Sequence, residues 1–389
     1  MKIAVFNTEA RKAVPIVRSL GRAGHTIYSF SFERISFAGC SRFVKRNIFV
    51  QGHNLEWIRR HIERYRIDVI FPIEDPTIEF FATNRASFRR CTLIVPEFKS
   101  FMLFADKANT MRYARERGIT VPETFIPTSR EEAEDYLRNC SGYPRVIKPR
   151  RATSAIGVKI VRTPADAIEH YRALSKRFHL PIVQQYIPLG GAAVGAEFLY
   201  YRGREILSFC HERIREFPVR RGPSTYCKNY RGDDALGYGR ELLRGLDYSG
   251  FAMVEFKQHP ETKELYLMEV NPRPWGSITL PISAGVDFPR EAVRVFTDPE
   301  GYAGPENGTR YDPARDYYMR WLLPGDLLSI LLDPEMTTSD KARNLFRRYP
   351  DTAYQILSVR DPMPGVMIVL KLFLNLFSID YIRKYLLRK

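Results

Sequence analysis

Residues 251–273 read FAMVEFKQHPETKELYLMEVNPR, and this stretch predicts two antiparallel strands joined by a short turn. The turn is centred near residues 261–263. In a hairpin, the numbers of two paired residues have a constant sum, so Glu255 is expected to face Glu269. Two like charges directly opposite each other destabilise a sheet. The sequence therefore predicts a cation between these two carboxylates.

The residues that follow Glu269 strengthen this prediction of a metal site. Asn271 lies two positions further along the strand and is expected on the same face. Two carboxylates and an amide oxygen suit Mg²⁺, with Mn²⁺ as the alternative, and water and phosphate would complete the coordination. Arg273 is then expected close to the anion that the metal holds. The competing interpretation is a surface hairpin whose two acids are placed by chance.

Two lysines and a loop of small residues form a candidate phosphate site. Lys107 opens a predicted helix, and Lys148 ends an apolar strand. The loop 150–157 reads RRATSAIG, and Ser154 and Gly157 would let backbone N–H groups approach phosphate oxygens. The loop is not a P-loop, because G-x-x-x-x-G-K-[ST] is absent. Taken alone, each lysine is more often a solvated side chain.

Residues 183–188 read VQQYIP, a strand that ends in polar and then apolar residues. Such a segment can offer backbone groups to the edge of an adenine ring and apolar surface to its faces. The candidates for this contact are Gln184, Gln185, Tyr186 and Ile187. The motif is weak by itself and depends on its neighbours.

The first hundred residues alternate strand and helix patterns, which predicts a parallel sheet covered by helices. The first strand is followed by residues 7–11, NTEAR, without G-x-G-x-x-G. A nicotinamide cofactor is therefore not expected. This lobe is predicted to shape a substrate cleft instead.

Composition limits the class of protein further. The chain has 389 residues and a net charge of +16, and 13% of its residues are aromatic, which suits a folded globular protein. Its five cysteines form no C-x-x-C pair, which argues against a zinc ribbon or a disulfide framework and suits the cytoplasm. The basic residues are spread along the chain, so a nucleic-acid partner is not expected. A membrane surface or polyanionic substrates would also explain the charge.

The order of these elements resembles the ATP-grasp superfamily, and within it the carboxylate–amine ligases similar to carbamoyl phosphate synthase. The match is most specific at Glu269–Arg273. It implies an α/β fold in which a Rossmann-like pre-ATP-grasp lobe precedes the ATP-grasp lobes and a basic, partly helical extension follows them. The implied divisions are 1–100, 101–180 (small lobe), 181–300 (large β-rich lobe) and 301–389.

The resemblance also implies a role for each candidate residue. The phosphates of ATP would be bound by Lys107, Lys148 and the loop with Ser154 and Gly157, and the adenine hinge would be formed by residues 184–187. One or two Mg²⁺ would be held by Glu255, Glu269 and Asn271. Arg273 would bind the transferring phosphoryl group, and Arg213 or Arg215 would bind a carboxylate substrate. The acid that usually holds the ribose is missing after the hinge. The next acid along the chain is Glu197.

The implied reaction joins a small-molecule carboxylate to an amine through an acyl phosphate, with release of ADP and phosphate. A homodimer is expected by resemblance. The alternative is a catalytically weak nucleotide-binding sensor or a membrane-surface adaptor that retains the fold. A biotin-type carboxylase and a simple kinase also stay open.

Residues 366–379 form a mostly apolar segment, and Arg383, Lys384, Arg388 and Lys389 follow it in the sequence. As a helix, fourteen residues reach about 21 Å, which is short of the roughly 30 Å hydrocarbon core of a bilayer. One interpretation is a helix that lies on the anionic inner face of a membrane. The other is a helix that docks on the body of the protein or in a dimer interface.

Overall fold

The computed structural model describes residues 1–152, 156–219, 222–305, 311–346 and 350–376. Three sheets organise these residues, with helices packed against them. The five-stranded sheet contains β1 (Lys2–Phe6), β2 (Thr26–Ser31), β3 (Val44–Phe49), β4 (Val69–Phe71) and β5 (Thr92–Leu93). The four-stranded sheet contains β6 (Thr124–Phe125), β7 (Arg145–Lys148), β8 (Lys159–Val161) and β9 (Ile182–Gln185). The seven-stranded sheet contains β10 (Ala193–Tyr201), β11 (Arg204–Glu216), β12 (Ser224–Asn229), β13 (Gly250–Gln258), β14 (Leu265–Asn271), β15 (Tyr318–Arg320) and β16 (Thr352–Tyr354).

Thirteen α-helices lie within the described residues. In the first half of the chain they are α1 (Ala13–Arg22), α2 (Leu55–Tyr65), α3 (Asp75–Thr83), α4 (Phe98–Ala105), α5 (Lys107–Glu116), α6 (Arg130–Asn139) and α7 (Pro164–Ser175). In the second half they are α8 (Asp233–Leu243), α9 (Thr279–Ser283), α10 (Phe288–Thr297), α11 (Leu327–Leu332), α12 (Thr338–Phe346) and α13 (Met363–Leu376). None of these described helices combines the length and the apolarity needed to cross a bilayer.

The N-terminal sheet is parallel, with strand order β3-β2-β1-β4-β5. Residues 3–6 of the central strand β1 are fully buried, as expected for a strand that helices cover on both faces. The sequence pattern predicted the other four strands but missed β3, whose burial follows no clean alternation because it lies at the sheet edge. The alternating α/β organisation predicted for this region is confirmed.

Helix starts follow the local capping signals in the sequence. The side chain of Asn54 accepts a hydrogen bond from Trp57 N at the start of α2. Thr163 accepts one from Asp166 N at the start of α7, and Ser129 accepts one from Glu132 N at the start of α6. These bonds satisfy backbone donors that have no partner inside the helix. The sequence predicts these three starts from Asn54, Ser129 and Thr163, each of a residue type that favours the N-cap position, and the structure confirms them.

The seven-stranded sheet is mostly antiparallel, in the order β14-β13-β10-β11-β12-β15-β16. Its last two strands come from residues beyond 301, so this extension also completes the sheet rather than contributing helices alone. One hydrophobic core joins this sheet to the N-terminal sheet, where the rings of Phe71 and Phe251 lie 5.5 Å apart. The mixed α/β fold class is confirmed, and the domain boundaries remain a prediction.

Candidate active site

Glu255 and Glu269 occupy directly opposite positions of the β13–β14 pair, as the hairpin arithmetic predicted. Asn271 Nδ2 donates to both of them, at 2.8 Å from Glu255 Oε1 and 3.2 Å from Glu269 Oε1. Burial raises the pKa of Glu255. Burial alone would also raise the pKa of Glu269, but Lys107 and Lys148 bring it down to about 2. The pair therefore needs positive charge around it.

The chemistry of these donors fits Mg²⁺. Glu255 and Glu269 supply hard carboxylate oxygens, and exchanging the amide O and N of Asn271 would add a third oxygen at the same point. The described residues contain no group of three or more His, Cys, Asp or Glu side chains that could hold a metal. A metal held by these three residues would thus depend on further oxygens from water or phosphate.

The two predicted lysines converge on the acidic pair from different elements. Lys107 begins α5, and its Nζ lies 3.0 Å from Glu269 Oε2 and 3.0 Å from the carbonyl oxygen of Ala152. Lys148 ends β7 and donates to the carbonyl oxygen of Met268 at 3.2 Å. Burial, with the charge of Lys107 added to it, lowers the pKa of Lys148 to about 7. An anion beside Lys148 would restore its charged form.

The loop after β7 has a mixed outcome. Arg150 is held by Asp106, with Nε 3.0 Å from Oδ1 and Nη2 2.7 Å from Oδ2. Asp106 also caps α5, so this pair fixes the loop to the helix that carries Lys107. Gly157 has φ of +76°, and a Cβ there would press on Leu174 and Pro149, which explains a glycine by packing. Ser154 lies outside the described residues.

The predicted hinge borders the small sheet. Gln184 is buried and its Nε2 donates to Thr124 Oγ1 at 2.7 Å, while Gln185 N donates to Glu123 O at 2.8 Å. Lys257, on the strand that carries Glu255, donates to Ile187 O at 2.7 Å. Its Nζ also lies 5.3 Å from the centroid of the Tyr186 ring. Lys257, which the sequence patterns did not single out, thus links the hinge to the strand of the acidic pair.

The two candidate substrate arginines separate. Arg213 forms an ion pair with Glu255 and contacts Glu216, with Nη1 3.2 Å from Oε1. Burial disfavours its charge, but both acids outweigh burial and raise its pKa. Arg215 instead donates to Asp326, with Nε 2.7 Å from Oδ1 and Nη2 3.0 Å from Oδ2. Alternate residues of a regular strand share a face, but these two guanidinium groups reach different partners because the pairing of β11 with β12 is irregular around them.

Arg273 connects the acidic pair to the N-terminal sheet. Its Nη2 donates to Asn271 Oδ1 at 2.9 Å, and its Nε lies 3.1 Å from Asp75 Oδ1. Burial opposes its charge, but Asp75 and Glu74 outweigh this effect and raise its pKa. The guanidinium therefore stays charged and held from two sides.

The N-terminal sheet adds three residues that the motif analysis did not select. Lys12 Nζ lies 3.1 Å from Glu74 Oε2 and 2.9 Å from the carbonyl oxygen of Pro274. Burial, followed by the charge of Arg273, lowers the pKa of Lys12 to about 8. Lys12 follows β1, and Glu74 and Asp75 follow β4. The strand order reverses between β1 and β4, and ligands of open α/β sheets bind in the crevice at that point.

A buried polar cluster lies on β10 and β11, next to the strand that carries Glu255. Gly195 pairs with Glu255 on one side and with His211 on the other. His211 Nδ1 lies 2.8 Å from Glu197 Oε1, and Ser277 Oγ donates to that oxygen at 3.1 Å. Burial lowers the pKa of His211 to about 3 and raises that of Glu197. Glu197 is thus fully enclosed and engaged, and it does not supply the missing ribose acid in this conformation.

Comparison with known proteins finds the ATP-grasp resemblance in the part of the chain that carries the acidic hairpin. A family model described as "ATP-grasp in the biosynthetic pathway with Ter operon" matches residues 210–316. The predicted resemblance to the ATP-grasp superfamily is therefore confirmed. The matched segment includes Arg213, Glu255, Glu269 and Arg273.

Named relatives are ligases and carboxylases. A probable alpha-L-glutamate ligase of Teredinibacter turnerae is 26% identical over 216 residues, which cover 53% of this chain and 69% of the relative. The biotin carboxylase domain of Hydrogenobacter thermophilus 2-oxoglutarate carboxylase, solved as a dimer with MgADP and bicarbonate, superposes with a TM-score of 0.65 at 17% identity, over 81% of this chain and 73% of that one. N5-carboxyaminoimidazole synthetase of Staphylococcus aureus gives 0.60 at 15% identity, over 75% and 76%. At these identities the structural matches establish the fold.

Proposed function

We propose that the protein is an ATP- and Mg²⁺-dependent ligase that joins a carboxylate to an amine through an acyl phosphate. The observation that carries this proposal is the convergence of Lys107, Lys148 and Arg273 on the pair Glu255–Glu269. Three cations around two carboxylates suit a polyphosphate bound through a divalent metal. The ligase names of the relatives support the same reaction class.

In the first step, a carboxylate oxygen of the substrate attacks the γ-phosphorus of ATP. An O–P bond forms, the bond to the β-phosphate oxygen breaks, and ADP leaves. Glu255, Glu269 and Asn271 would hold Mg²⁺, which when bound would neutralise negative charge on the phosphates. Lys107 and Lys148 would bind phosphate oxygens, and contact with phosphate would restore the charge that burial removes from Lys148. The contribution of the chain is mainly positioning and neutralisation of charge.

In the second step, the neutral amine nitrogen attacks the acyl carbon, the bond between that carbon and the phosphate oxygen breaks, and phosphate leaves with the proton that the amine gives up. Arg273 would stabilise the oxyanion of the tetrahedral intermediate, since it is charged and held by Asp75. Glu74 and Asp75 neutralise Lys12 and Arg273 beside the adjoining crevice.

Arg213 is our candidate for binding the substrate carboxylate, because a substrate anion can compete with its partners Glu255 and Glu216. Arg215 supports the strand through Asp326 and is not assigned to substrate. We further propose a homodimer in the cytoplasm. The wide spacing of the five cysteines in the sequence supports a reducing compartment.

The test separates the two steps. Purified protein is incubated with MgATP and single acids, starting with L-glutamate, and hydroxylamine is added to trap an acyl phosphate as a hydroxamate. Amines are then supplied in pools, and ADP and phosphate are measured. We expect hydroxamate with one acid alone and a stoichiometric amide once the amine is present. Glu269→Gln should abolish both products, and Glu264→Gln, an exposed acid of the same hairpin, should retain them.

Other outcomes would replace the proposal. Tight MgATP binding without turnover in any pool would favour the nucleotide sensor. ADP release that depends on bicarbonate would favour a carboxylase, and a stable phosphorylated product without an amine would favour a kinase. Failure to bind ATP would overturn the assignment of the whole site.

A further inference from the structure

Helix α13 is apolar around almost its whole circumference and reads MPGVMIVLKLFLNL. One side docks on the protein, where Ile368 is 3% exposed and joins the core beneath the N-terminal sheet. On the other side, Val366 is 53% exposed, Val369 51% and Leu370 44%. A surface helix of a globular protein normally carries polar residues on that side. The exposed apolar side of α13 is therefore expected to be covered by a binding partner.

This helix is held firmly in its position. Asp361, two residues before α13, is buried and accepts hydrogen bonds from Arg18 Nε at 2.8 Å, Ser41 Oγ at 2.8 Å and Arg42 N at 2.9 Å. Within the helix, Lys371 Nζ lies 2.6 Å from Glu33 Oε2. A buried ion pair with additional hydrogen bonds fixes geometry strongly. The contacts of Asp361 and Lys371 thus hold α13, with its apolar side exposed, against the N-terminal sheet.

Exposed cations flank this contact in the chain. Helix α13 packs against residues 38–40, and the neighbouring residues 33–46 include the exposed side chains Arg34, Arg42, Lys45 and Arg46. Arg42 Nη1 also donates to the carbonyl oxygen of Arg360, an exposed residue just before the helix, at 3.1 Å. Glu33 is the one acid in residues 33–46, and it is already paired with Lys371. The apolar side therefore has a basic rim on a chain whose net charge is +16.

We propose that α13 and this basic rim form a docking surface for an anionic lipid bilayer, with the helix lying in the plane of the interface. Exposed valine and leucine side chains would enter the acyl boundary while the rim meets lipid phosphates. A helix of 14 residues extends about 21 Å, which suits a surface position and is too short to span the bilayer. This docking would hold the protein at a membrane whatever reaction it performs.

Charge distinguishes a bilayer from a second copy of the chain as the occupant. A two-fold contact through α13 would bring two basic rims together, and like charges that meet at an interface repel each other. An anionic bilayer neutralises the rim instead. The observations thus favour lipid over self-association on this side.

The test is flotation of the full-length protein with vesicles of pure phosphatidylcholine or of phosphatidylcholine with phosphatidylglycerol. We expect binding to the anionic vesicles only, with release at about 0.5 M salt, where the Debye length falls to a few ångströms. The double variant Val366→Glu, Leu370→Glu should lose about tenfold or more of the bound fraction. The control Phe98→Glu, an exposed apolar side chain on α4, should bind as wild type.

A second variant guards against a folding defect in α13. Arg34→Glu with Lys45→Glu leaves the helix intact and should also lose about tenfold or more of the binding, because the attraction of two cations to anionic lipid is replaced by the repulsion of two carboxylates. Absence of vesicle binding by wild type, or equal binding to both kinds of vesicle, would overturn the proposal. So would light scattering that shows a wild-type dimer which the α13 variant converts to monomers.

Discussion

Arg273 Nε lies 3.1 Å from Asp75 Oδ1, and this ion pair joins the end of the acidic hairpin to the first helix after β4 of the N-terminal sheet. The two residues are 198 positions apart in the chain. Arg273 is the group that we expect to face the reacting phosphoryl oxygens. Its orientation thus depends on a carboxylate supplied by a different sheet.

The first prediction concerns this pair. Asp75→Asn should lower kcat about 10- to 100-fold, because Arg273 loses the buried opposite charge that holds its guanidinium in place. The Kd for MgATP should change less than about twofold, since Lys107 and Lys148 keep their positions. Steady-state kinetics and nucleotide titration measure the two quantities. Glu97→Gln, at an exposed ion pair with Arg85, should leave both unchanged.

The second prediction concerns Lys148, whose pKa of about 7 shows that burial already penalises its charge. Lys148→Met should leave the thermal stability of the nucleotide-free protein unchanged or higher. The same change should weaken MgATP binding about 10-fold or more, because a charged partner of phosphate is lost. Thermal melts with and without MgATP measure both effects. A variant that is less stable without nucleotide and binds MgATP normally would contradict this role.

The third prediction concerns Asp326, which is fully buried and paired with both Arg215 and Arg320. Asp326→Asn leaves two guanidinium groups without their carboxylate and should destabilise the protein by about 3–5 kcal/mol. Denaturant unfolding measures this loss. The matched change Asp316→Asn breaks a half-exposed pair with Arg231 and should cost about 0–1 kcal/mol. Equal effects of the two variants would show that Asp326 is not a structural anchor.

The fourth prediction is a pH dependence of stability. Lys12 has a pKa of about 8 in the folded protein and 10.5 as its ordinary value. Between these values the unfolded chain binds more protons, so the penalty that burial places on charged Lys12 is present in full below pH 8 and is relieved as pH rises from 8 to 10.5. Relative to Lys12→Met, wild type should gain about 3 kcal/mol over this interval. Melts of the two proteins at several pH values give the difference in stability. A difference that does not change with pH would refute the prediction.

Local spacing accounts for what could be predicted about the site. The opposition of Glu255 and Glu269 and the common face of Asn271 follow from strand periodicity and the short turn between the strands. Lys107 and Lys148 were found because each stands at the boundary of a local element. The capping residues of α2, α6 and α7 were found in the same way.

Contacts between distant segments could not be predicted in this way. Lys12, Glu74 and Asp75 enter the site only because the N-terminal sheet packs on the seven-stranded sheet. Arg213 and Arg215 are equivalent by strand periodicity, yet one meets Glu255 and the other meets Asp326 from the C-terminal extension. Irregular strand pairing and a partner 111 positions away decided that difference.

The sequence by itself determined the acidic hairpin, the two lysines and the α/β class, because each depends on interactions within a few residues of the chain. The tertiary structure decided which opposite charges pair with each other, including Asp75 with Arg273 and, next to α13, Asp361 with Arg18. Electrostatic partners are chosen by distance in space, and burial sets how strongly they interact. Both quantities exist only once the sheets have packed together.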